Sequence, residues 1–78
     1  MWYLIQPAVT LQEMPHVTHL CGNLVRALET AEIYALRHSI PFIIRIIEQP
    51  LGDISNHNTR PVIAHTYPYA GMAVTVNI

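Results

Sequence analysis

Apolar and polar positions along the chain predict five elements. Trp2 to Gln6 is apolar and aromatic up to Pro7, the composition of a strand. Thr10-Leu11-Gln12-Glu13 has the form of a capping box, and Pro15 suits the first position of a helix, where a missing N–H costs nothing. From there to His38 the spacing is helical. Leu20, Leu24, Leu28, Ala31 and Ala35 share one face with Cys21 and Ala27 beside it, while Asn23, Arg26, Thr30 and Arg37 gather opposite. Ser39-Ile40-Pro41 ends the helix, because a residue before proline avoids helical geometry. A helix from Pro15 to His38 would run about 36 Å, against about 23 Å for a seven-residue strand. It must overhang the sheet or break, and Gly22 is its weakest point.

Phe42 to Glu48 is a second strand, followed by a turn at Pro50-Leu51-Gly52 and the polar loop GDISNHNTR. Arg60 to Thr66 and Met72 to Ile78 are two further strands, joined by the glycine-bearing connection Tyr67-Pro68-Tyr69-Ala70-Gly71. The order β-α-β-β-β makes residues 1–78 a single small α+β domain. One main helix packs on one face of a mostly antiparallel four-stranded sheet. The first strand, helix and second strand form a right-handed crossover, which makes those two strands parallel.

One helix covers one face of such a sheet, yet PFIIRIIEQP is apolar on both. Phe42, Ile44 and Ile46 point one way, and Ile43, Arg45 and Ile47 the other. The last strand alternates in the ordinary way, with Met72, Val74, Val76 and Ile78 on one side and Ala73, Thr75 and Asn77 on the other. The excess apolar surface is therefore expected at residues 43–47, beside Trp2 or Tyr3. Each isoleucine gains roughly 1.5–3 kcal/mol on full burial. A partner protein, foremost a second copy of the chain, is expected to cover it, with Arg45 tolerated inside the contact. The loop 49–60 or an N-terminal turn is the alternative cover. Tyr67 and Tyr69, stiffened by Pro68, add anchors of large area and low entropic cost.

Composition agrees with a covered surface: 51% of the 78 residues are hydrophobic and only 12% charged, about half the usual share. The basic residues are Arg26, Arg37, Arg45 and Arg60, scattered and without lysine, too few to neutralise a phosphate backbone. Nucleic acid is accordingly disfavoured as a partner. Cys21 stands alone and forms no internal disulfide, which fits a reducing cytoplasm. The N-terminus has no basic n-region, and the apolar runs fall short of the roughly 20 residues a membrane helix needs. A cytoplasmic protein without membrane contact is the expectation.

Chemistry finds little purchase. His16, His19 and Cys21 match no common zinc spacing, so no metal is expected, and no cofactor motif occurs. The three glycines are too dispersed to cradle a phosphate, and no lysine is present for Schiff-base chemistry. His57 lies among amides in SNHNT, and His65 faces outward if Val62 and Ala64 face the core.

The layout of residues 2–52, a strand, a helix, an aliphatic strand and a glycine-bearing turn, resembles the small tautomerases. Those are oligomeric β-α-β enzymes that use an N-terminal proline. This chain begins Met1-Trp2-Tyr3, so none of their residues is carried over. In size and class it is similar to the small α+β inhibitors encoded by phages and mobile elements, such as anti-CRISPR proteins. The favoured reading is a non-enzymatic interaction module, self-associating or bound to a larger protein as inhibitor or adaptor. Its contact residues are Ile43, Arg45, Ile47, Tyr67 and Tyr69. The alternative is a small oligomeric enzyme with a site between subunits built on His57, His65 or a tyrosine.

Overall fold

The computed structural model describes residues 1–8, 19–47 and 60–78. Thr10–Glu13, Pro15, His16, the Pro50–Gly52 turn and His57 lie outside them. Within them the chain forms β1 (Trp2–Pro7), β2 (His19–Cys21), α1 (Leu24–His38), β3 (Phe42–Ile47), β4 (Val62–Tyr69) and β5 (Met72–Asn77). The strands make one sheet in the order β2-β1-β3-β4-β5, and every neighbouring pair is antiparallel. This is the expected α+β arrangement of one helix on a sheet, with five strands instead of four.

The added strand is β2, and it corrects the crossover. His19–Cys21 pairs antiparallel with β1, Tyr3 opposite Cys21 and Ile5 opposite His19. The chain has therefore already reversed before α1 begins, so β3 runs antiparallel to β1 instead of parallel. The helix joins β2 to β3, with β1 between them in the sheet. A three-residue strand is too short to show a period of two. Leu20 also continues the helical spacing of Leu24 and Leu28, which hid it.

The helix starts just beyond Gly22, at Asn23. Asn23 is extended, and its Oδ1 accepts hydrogen bonds from the N–H groups of Val25 (2.8 Å) and Arg26 (3.3 Å). That satisfies donors the first turn cannot pair internally. Arg37 sits in the last turn, where its positive charge meets the negative end of the helix dipole, and Ser39 closes the helix in the left-handed conformation. Fifteen residues give about 22 Å, enough to cross the roughly 19 Å between the outermost strands of a five-stranded sheet. α1 packs against all five strands.

Ala27, Ala31 and Ala35 form the buried stripe of α1. Their small side chains bring the helix close to Ile5, Cys21, Phe42, Ile44 and Ala64, with Leu28 and Tyr34 at the margins. Leu24, placed in that stripe by spacing, is exposed in the first turn. Thr30, placed on the solvent side, is half-buried, with Oγ1 3.9 Å from the Cys21 Sγ. Thr66 is fully buried on the helix side of β4, and its hydroxyl lies 3.0 Å from that of Thr75 on β5.

The hairpin between β4 and β5 is tighter than its sequence suggests. Tyr67, Pro68 and Tyr69 belong to β4, opposite Val74, Ala73 and Met72, and the turn is only Ala70-Gly71. Both turn residues have positive φ, 51° and 79°, the geometry that matches the right-handed twist of the flanking strands. Glycine adopts it freely, whereas alanine is strained there by about 1 kcal/mol.

Stability measured by denaturant unfolding should respond at both ends of these elements. Asn23→Ala is expected to cost about 1 kcal/mol through loss of the cap. Ala70→Asn, which accepts positive φ, should add about 0.5–1 kcal/mol.

Candidate interaction surface

Register assigns every strand position to one of two faces. Ile5 pairs with Ile44, and Phe42 pairs with Thr66, all turned toward α1. The opposite, outer face therefore carries Trp2, Leu4 and Gln6 from β1 and Ile43, Arg45 and Ile47 from β3. It continues with His65, Tyr67 and Tyr69 from β4 and with Met72, Val74 and Val76 from β5.

The two halves of this outer face differ sharply in exposure. In the first half Leu4 is 1% exposed, Ile47 2% and Ile43 8%, so these aliphatics are buried within the single chain. Trp2 stands opposite Ile47, and its ring lies over Gly22, where an added Cβ would sit 3.4 Å from the indole. Arg45 is half-buried among them. Its Nε donates to Gln6 Oε1 (2.7 Å) and its Nη1 to the Arg60 carbonyl (2.6 Å), tying β3 to β1 and to the approach to β4. The ladder shifts register between Ile44 and Arg45, so Arg45 pairs with Val62. The guanidinium is thereby engaged within the chain while its methylene stem lies along apolar neighbours.

The second half is open. Tyr69 is 73% exposed, Met72 68%, Val76 51%, Val74 44% and Tyr67 41%. Ile78 follows Asn77 and is exposed as well, with its N–H donated to the Ile63 carbonyl (2.9 Å). His65 stacks on Tyr67 with ring centroids 5.9 Å apart and planes 8° from parallel. Residues 61–78 contain no Asp, Glu, Lys or Arg. The excess apolar surface of the sheet thus lies on the β4–β5 hairpin. Alternation in β5 is as regular as its sequence indicates, but the aliphatic set points away from the helix, and Ala73 and Thr75 take the helix side. The signal was present in those small residues, since a helix crossing close over a strand needs alanine and threonine there, as it needs Ala27, Ala31 and Ala35 on its own side.

Of the expected contact residues, Tyr67 and Tyr69 lie together in the exposed half, and Ile43, Arg45 and Ile47 in the covered half. A second grouping escaped sequence reasoning. Tyr34 of α1 has His19 at 6.0 Å, His38 at 6.0 Å and Phe42 at 5.8 Å between ring centroids, with the Arg37 guanidinium carbon 5.8 Å from its ring centre. It joins β2, the end of α1 and the start of β3 by edge and tilted aromatic contacts. His19 belongs to β2 and not to the helix. Among the described residues, no three His, Cys, Asp or Glu side chains stand close enough to hold a metal ion. No described helix is long and apolar enough to cross a membrane.

No protein-family model, curated protein or solved structure matches this chain.

The two halves of the outer face predict opposite responses to polar substitution. Ile47→Thr should destabilise the folded chain by about 2–3 kcal/mol in denaturant unfolding, because it removes buried carbon and buries a hydroxyl. Val76→Thr, on the open half, should change stability by less than about 0.5 kcal/mol.

Proposed function

We propose that this protein is a non-enzymatic protein–protein interaction module that acts as an inhibitor or adaptor through the outer face of its β4–β5 hairpin. The observation that carries this reading is the unbroken exposed set Tyr67, Tyr69, Met72, Val74 and Val76 on one face of two paired strands. Contiguous apolar surface of this kind is a liability for a lone soluble chain and marks a contact site. Aromatic and methionine side chains without charges are the composition of an interface centre. Both tyrosines are held in the β4 ladder just before the turn, so little backbone freedom is lost when they dock. Arg45, engaged with Gln6 and Arg60, acts as a brace beside this surface.

Association is the readout. Wild type and a Tyr69→Ser, Met72→Ser variant are compared by light scattering over a concentration series and by affinity capture from the cells in which the chain is expressed. Aromatic anchors at interface centres commonly carry 2 kcal/mol or more. The variant should therefore lose association with a captured partner by roughly 30-fold. Its unfolding stability should stay within about 0.5 kcal/mol of wild type. Capture of equal strength by the variant, or a wild type that captures nothing in stoichiometric amount, contradicts the reading.

A further inference from the structure

We infer that the open edge of this hairpin pairs with a second copy of the chain, β5 against β5 of the partner, antiparallel about a two-fold axis at Thr75, which sets the two exposed faces side by side as one contact surface. The inference rests on the interaction reading above and deepens it by giving the form in which that surface is presented.

β5 is the last strand of the sheet order, and among the described residues no strand pairs with its far side. Hydrogen-bonded and non-hydrogen-bonded pairs alternate along an antiparallel ladder. The bond from Ile78 N–H to the Ile63 carbonyl fixes which is which. Ile78, Val76, Val74 and Met72 direct their backbone groups inward to β4, and Ala73, Thr75 and Asn77 direct theirs outward at the free edge. Pro68 fits the same parity: it pairs with Ala73 at a position where no N–H is required toward β5.

Natural edge strands are blunted by lysine or other charges, proline, or a bulge. Met72–Asn77 has none of them, and its register against β4 is unbroken. A second copy is the partner this edge fits. A two-fold contact brings each edge against itself, so a charged edge would meet its own charge. The hairpin carries no Asp, Glu, Lys or Arg to be repelled.

The outward groups also select the register. Centred on Thr75, the pairing sets Thr75 opposite Thr75 of the partner and Ala73 opposite the partner's Asn77, so that each donates and accepts one bond. Centring on Val74 or Val76 would strand Asn77 or Ala73. With Thr75 at the axis, Val74 faces the partner's Val76 at the closer, non-hydrogen-bonded spacing of about 4.5 Å between Cα atoms. Both outer faces then continue as one apolar surface, and the two helices share the other side of the joined sheet.

Cysteine pairing reads this register directly. Val74→Cys and Val76→Cys are prepared separately and oxidised alone and as an equimolar mixture, with molar mass followed beside the 8.8 kDa monomer. The Cα spacing between these positions across the axis suits a disulfide, and the native Cys21 is buried. The mixture should form a disulfide-linked dimer several-fold faster than either variant alone. A wild-type dimer whose mixture shows no such preference overturns the β5 pairing and leaves the hairpin reading standing. A wild type that is monomeric at every concentration also overturns the pairing, and the capture experiment then decides the interaction reading by itself.

Discussion

A single helix laid across a five-stranded sheet covers one of its two faces. The rest of this structure follows from how the chain meets that constraint. On the helix side the solution is close approach: Ala27, Ala31 and Ala35 bring α1 down onto Ile5, Phe42, Ile44 and Ala64. The strands beneath its course answer with small or polar side chains, Ala73 and Thr75 on β5 and Thr66 on β4. Close approach over β5 leaves the larger aliphatics of that strand no place but the far side. The exposed Met72, Val74 and Val76 are thus a consequence of how the helix is packed as well as a candidate contact surface.

The outer face is divided by Arg45. On its β1 side Leu4, Ile43 and Ile47 are buried within the chain, and the guanidinium is tied to Gln6 and to the Arg60 carbonyl. Beyond β3 the face opens onto His65 stacked on Tyr67, and then onto the aliphatic edge strand. An arginine at that boundary reconciles burial with charge: its stem covers apolar neighbours while its head meets polar partners. The open half has no comparable polar partition. That contrast makes the hairpin, rather than the β3 centre of the sheet, the surface where apolar area remains to be gained by association.

Much of the fold was legible because periodicity records burial. The apolar spacing of α1, the aliphatic run of β3 and the two strands around Gly71 all appear in the amino-acid pattern, as does the overall α+β class. The elements that were not legible are those in which short length or tertiary context outweighs period. His19–Cys21 has too few residues to alternate, and the helical spacing continues straight through it, so the direction of β3 relative to β1 was inverted. Tyr67-Pro68-Tyr69 contains a proline and reads as a loop. It stays in the ladder because Pro68 falls where no N–H is needed toward β5. The surface was half legible. Tyr67 and Tyr69 stand in the open region, whereas the burial of Ile43 and Ile47 depends on chain-wide packing that no local pattern encodes. The orientation of β5 depended on recognising that its small residues, and not its large ones, meet the helix.

The central claim is that the β5 edge is the part of the sheet completed by association. Amide hydrogen exchange at single-residue resolution, followed across protein concentration, tests it most directly. The N–H groups of Val74 and Val76 are paired with β4 and should be protected at every concentration. Those of Ala73, Thr75 and Asn77 should exchange freely in dilute solution and gain protection together as concentration rises. Outward amides that exchange at the same rate in dilute and concentrated samples would contradict the account.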